Sequence, residues 1–110
     1  MWGDWNMREV REITDFMERA VGDSRLGPMH ISLYLAILYC WLEQGGAGPA
    51  RINGKTLMPL AKIGGPTPLY RALRELNEFG YIVYRPSFNA MEKSKVYLPL
   101  LETMGYQWKG

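Results

Sequence analysis

The chain has 110 residues with one histidine and one cysteine, so neither an internal disulfide nor a four-ligand Cys/His zinc site can be assembled. Apolar residues make up 47% and charged residues 22%, which suits one globular domain with one core. The net charge of +2 is unevenly placed: residues 1–50 hold four Arg against seven Asp or Glu, net −3, and residues 51–110 hold nine Lys or Arg against four Glu, net +5, so the second half points to an anionic partner.

Met1-Trp2-Gly3-Asp4-Trp5 lacks the basic and apolar regions of a secretory leader. The longest apolar run, Ile31 to Leu42, is 12 residues, too short to span a bilayer. Both observations predict a cytoplasmic protein.

Residues 6–21 read as an amphipathic helix. Val10, Ile13, Phe16, Met17 and Ala20 recur at spacings of three and four, while Arg8, Glu9, Arg11, Glu12, Asp15, Glu18 and Arg19 fill the other face as solvated charges. Gly22 to Pro28 is a loop. A second helix is expected from Pro28 to Gln44, opened by proline in its first turn and stopped by Gly45-Gly46. It is apolar nearly all round, which places it at the centre of a fold or between subunits. Within it Cys40 reads as a buried small hydrophobe, and His30 as a helix-end or packing residue.

Arg51-Ile52 is long enough for a very short strand. A third helix follows to about Lys62, with Leu57, Leu60, Ala61 and Ile63 inward. Either Asn53 caps it, leaving Pro59 inside, or Thr56 caps it with Pro59 in the first turn. Ile63-Gly64-Gly65-Pro66 is a tight turn. Thr67 is then the expected N-cap, Pro68 the first helical residue, and Leu69, Ala72, Leu73, Leu76 and Phe79 one buried stripe ending at Gly80. Tyr81–Arg85 and Lys95–Leu98 read as two strands joined by a long tip. Leu100, Leu101, Met104, Tyr106 and Trp108 make the tail too apolar to be freely solvated.

The order helix, helix, glycine turn, helix, hairpin is that of a winged helix-turn-helix carrying an extra N-terminal amphipathic helix. The expected class is mainly α with a small β-hairpin (α+β). The whole chain, 1–110, is one domain: 1–27 the N-terminal helix and loop, 28–99 the winged-helix core, 100–110 the tail. Once the buried stripe of helix 68–79 is subtracted, Thr67, Tyr70, Arg71, Arg74, Glu75, Asn77 and Glu78 point outward. Cationic and hydrogen-bonding residues occupy its N-terminal half, the part of a recognition helix that contacts bases in the major groove. Arg85, Ser87, Asn89, Lys93, Ser94 and Lys95 gather at the hairpin tip with only Glu92 opposing, a pattern suited to phosphate or minor-groove contacts. Lys55 and Lys62, near the turn, add candidate backbone contacts.

An enzyme is not expected. Gly64-Gly65-Pro66 lacks the lysine of a phosphate-cradling loop, and no Ser/His/Asp or Cys/His set is in place. No cofactor, metal or small-molecule ligand is implied.

The apolar run Ile31 to Leu38 with Trp41, the run Arg74-Glu75-Leu76-Asn77-Glu78-Phe79-Gly80-Tyr81-Ile82 and the segment Tyr84 to Leu98 together resemble small winged-helix proteins of Bacteroidetes conjugative transposons and related mobile elements. The resemblance covers about residues 29–99. It implies DNA binding in regulation, excision or replication of a mobile element, with contacts from Thr67, Tyr70, Arg71 and Arg74 in the helix and Lys93 and Lys95 in the wing. The chain departs from that pattern at Gly65-Pro66-Thr67-Pro68, where two prolines remove backbone donors.

The sequence therefore predicts a double-stranded DNA-binding regulator or accessory factor acting as a homodimer, through Lys55, Thr67, Tyr70, Arg71, Arg74, Arg85, Lys93 and Lys95. The competing reading is a winged-helix module that binds protein and no DNA, favoured by the modest charge and apolar termini.

Overall fold

The structure, a computed structural model, describes residues 7–87 and 93–99, with side chains from Val10 onward. Trp2, Trp5, the side chains of Arg8 and Glu9, the tip residues Asn89 and Glu92, and the tail from Leu100 to Trp108 lie outside the described residues.

Four helices, α1 (Met7–Val21), α2 (Pro28–Glu43), α3 (Gly54–Ala61) and α4 (Pro66–Glu78), are joined by three short strands, β1 (Ala50–Ile52), β2 (Val83–Arg85) and β3 (Ser94–Tyr97). The strands form one antiparallel sheet in the order β1-β3-β2. The expected hairpin is thus widened by β1, and the class is mostly helical α+β.

Helix α2 occupies the centre, as its all-round apolar surface requires, and packs on α3, α4 and β1. It buries Leu33, Tyr34, Ala36, Ile37, Leu38, Cys40 and Trp41, leaving Leu35 and Tyr39 exposed. Its start is held by His30, whose Nδ1 accepts the Gly27 N–H at 2.9 Å, the reach-back that Glu or Gln makes in a capping box. Since Nδ1 is an acceptor there, the proton lies on Nε2, which donates to Glu75 Oε1 of α4 at 2.8 Å. At the other end the Trp41 indole N–H donates to the Gly48 carbonyl at 2.8 Å. The Gln44 side chain takes both main-chain groups of Arg51: its Oε1 accepts the N–H at 2.8 Å and its Nε2 donates to the carbonyl at 2.7 Å.

Helix α1 joins through aromatic contacts. Phe16 stacks on Tyr34 at 3.8 Å between centroids and meets Tyr81 edge-on at 5.6 Å. Glu12, expected among the solvated charges, is fully buried, one turn before Phe16 on the same face. Among the described residues neither of its carboxyl oxygens has a hydrogen-bond partner, and the buried Tyr34 hydroxyl has none either.

Helix α3 begins at Asn53, whose side chain accepts the Thr56 N–H at 2.9 Å. Pro59 therefore lies inside the helix and removes the donor for the Lys55 carbonyl. Leu57, Ala61 and Ile63 are buried as expected, but Leu60 is exposed at 41%. Ser32 of α2 donates to the Ala61 carbonyl at 2.9 Å, satisfying one orphan group at the end of this helix.

Helix α4 starts two residues earlier than the sequence predicts, with Gly65 at the N-cap and Pro66 as first helical residue. Both prolines fall in the first turn, where a missing N–H costs no helical bond, so Thr67 no longer needs to cap. Its end matches expectation. Gly80 is left-handed (φ +87), and the Tyr81 N–H to Leu76 and Gly80 N–H to Asn77 carbonyl bonds complete a Schellman motif. Helix α3 closes on a left-handed residue too, but there it is Lys62 (φ 59). Gly80→Ala is expected to lower stability by about 1 kcal/mol and Lys62→Gly to raise it by up to about 1 kcal/mol, opposite shifts of a urea midpoint.

Candidate nucleic-acid interface

Helix α4 is locked on its inward side by Leu69, Ala72, Leu73 and Leu76, all buried. Its C-terminal half is tied to the α1–α2 loop. The Arg25 guanidinium lies 4.2 Å above the Phe79 ring, and Arg19 lies 4.4 Å above Tyr81. The Tyr81 hydroxyl donates to Asp23 Oδ2 at 2.8 Å, and Arg25 pairs with the same carboxylate. Bonds from Arg25 and Tyr81 hold the Asp23 carboxyl well below the usual carboxylate range. Burial first, and then Asp23, push the Tyr81 phenol up.

This anchoring decides which residues of α4 are free. Glu75, expected outward, is half-buried and engaged by His30. Asn77 accepts the Tyr84 N–H at 3.0 Å and pins β2 to the helix. Thr67, Arg71 and Arg74 are exposed, and among the described residues neither arginine has an ion-pair partner. At the helix entry only Thr67, of the first three residues, carries a main-chain N–H.

Tyr70 departs from the expectation that it projects freely. It is half-buried and packs against the core, its hydroxyl lying over the first residue of α3. A Cβ at Gly54 would come within 2.9 Å of that oxygen, so glycine is what lets the tyrosine settle there. The exposed Lys55 follows immediately. Tyr70 thus joins α4 to the start of α3. Burial pushes the Tyr84 phenol up, the bond with Ser94 opposes this, and Tyr70 and Arg74 act in opposite senses.

The sheet adds an arrangement that the sequence conceals. Arg51 of β1 is directly opposite Lys95 of β3, which is directly opposite Arg85 of β2. All three are exposed, while Val96 of the adjacent row is buried. Three cations therefore stand side by side on one face at the strand spacing of about 4.8 Å. Arg51 escaped the sequence reading because only its pairing with β3, over forty residues away, reveals its neighbours. Lys93, just before β3, is exposed. Its charge opposes the upward push that burial, and then Glu43, give the Cys40 thiol.

No three His, Cys, Asp or Glu side chains are grouped to hold a metal ion among the described residues. Nor is any helix there long and apolar enough to cross a membrane. No protein-family model, curated protein or solved structure matches the chain.

Proposed function

We propose that the chain is a winged helix-turn-helix domain that binds duplex DNA, with α4 in the major groove and the β2–β3 hairpin as wing. The observation that carries this reading is the row Arg51–Lys95–Arg85. Like charges directly opposite one another destabilise a sheet, so the row makes no sense as a stabilising device. A polyphosphate backbone relieves that repulsion. The exposed Arg71 and Arg74 supply side chains able to fork onto guanine or clamp phosphate. The bond from Tyr84 to Asn77 keeps the wing beside them. Pro66 and Pro68 remove main-chain donors at the helix entry, so readout falls to the exposed side chains of Thr67, Arg71 and Arg74. The resemblance of Arg74–Ile82 and Tyr84–Leu98 to mobile-element proteins supports a role in regulating, excising or replicating such an element.

Titrating duplex DNA at rising salt tests the proposal. Neutralising phosphates with Arg51, Arg85, Lys93 and Lys95 predicts a log–log salt slope of about −4. Weak, salt-independent binding would instead favour the protein-binding use of the same architecture. Selection of bound duplexes from a random pool then identifies the site.

A further inference from the structure

We infer that two copies of this chain pair through the outward face of α1, the helices running antiparallel about a two-fold axis. Val10 and Met17, expected on the inward face with Phe16, instead line up with Thr14 and Val21 on a side of α1 turned about 100–160° from Phe16, and all four are exposed. Val21, the last residue of α1, is 88% exposed, and Val10 and Met17 are 40% exposed each. The spacing along the stripe is four, three, four, which reads the same from either end. An antiparallel copy therefore sets Val10 against the partner's Val21 and Thr14 against the partner's Met17. Such self-complementarity is what a two-fold interface demands and a heterologous partner does not.

Charge fits the same occupant. Arg11 and Glu18 are seven residues apart, so they share one flank of the stripe. Both are exposed, and neither has an ion-pair partner among the described residues. A two-fold axis brings like flanks together, so Arg11 meets the partner's Glu18 twice in one interface. On the other flank, Ile13 leads from the stripe into an open groove of about 320 Å³. Its walls include Leu35 and Tyr39, two of the apolar residues that α2 leaves exposed. Bulky side chains of the facing helix complete that surface.

Sedimentation equilibrium of the full chain without DNA tests the pairing independently of any nucleic-acid binding. A dimer is expected at tens of micromolar. Met17→Lys is expected to raise its dissociation constant on the order of a hundredfold, because a charge enters the seam. Thr14→Leu is expected to tighten the dimer, a gain that a misfolded variant does not mimic. Arg11→Glu and Glu18→Arg should each weaken it severalfold, and the double exchange should restore it. A protein that stays monomeric at those concentrations overturns the inference. So does a dimer that Met17→Lys and Thr14→Leu both leave unmoved.

Discussion

Alanine at both Arg71 and Arg74 is expected to weaken duplex binding by roughly thirtyfold or more, since each base-contacting arginine contributes about 1–3 kcal/mol. The fold should be indifferent to the change. Both side chains are exposed and have no ion-pair partner among the described residues, while the stripe of Leu69, Ala72, Leu73 and Leu76 that holds the helix is untouched. An unchanged urea midpoint beside a lost gel shift therefore assigns the effect to contact with DNA. Lys95 of the sheet and Lys93 just before it are expected to behave differently. Lys95→Ala and Lys93→Ala should each reduce the salt slope by about one without altering which duplexes are preferred, as befits contacts to phosphate. Retention of full affinity by the arginine double variant would remove α4 from the interface.

Glu12→Met is expected to stabilise the protein by about 3 kcal/mol at pH 8, with a much smaller gain near pH 4.5. Burial raises this carboxyl from its ordinary value of 4.5 to about 7, with Asp15 adding to the effect and Arg19 opposing it. Below pH 4.5 the group is protonated in both folded and unfolded chains, and its charge costs nothing. Between pH 4.5 and 7 the folded chain keeps a proton that the unfolded chain has released, so stability falls as pH rises. Above about pH 7 the folded chain carries a buried carboxylate without a hydrogen-bond partner among the described residues, and the full penalty is present. Methionine has similar length and no charge, so it fills the same space. Urea midpoints at pH 5 and pH 8, compared between the natural chain and Glu12→Met, isolate this one group from all other titrations. Parallel pH profiles for the two would contradict the assignment.

Glycine and proline punctuation, with helical periodicity, carried most of the architecture in plain sight. The end of α4 at Gly80 is written in a residue with no Cβ, and the central place of α2 in its lack of any polar face. The start of α4 was harder to read, because Thr67-Pro68 offers the same local chemistry as Gly65-Pro66. Glu12 misled for a different reason. A charge among charges looks solvated, and the fact that it is one turn from Phe16 gains weight only once Phe16 is known to face Tyr34 and Tyr81. Leu60 erred the other way: beside Pro59 in an eight-residue helix, an apolar side chain has no guarantee of a partner. For the candidate interface, Arg71 and Arg74 were legible as what periodicity leaves outside. Arg51 was not, since cross-strand neighbours are fixed by long-range pairing that no local pattern records.

The grip of Gln44 on Arg51 has a consequence for how these molecules behave in a crowd. Strand β1 is the border of its sheet, and a border strand with unclaimed amides invites another chain to add on and seed a fibril. One glutamine, reaching back from the end of α2, occupies both main-chain groups of the middle residue of that three-residue strand. No pair of adjacent free amides is left for an incoming strand to recruit. With Asn77 taking the Tyr84 N–H on the opposite border, two side chains blunt both edges of the sheet and leave its surface cations in open view.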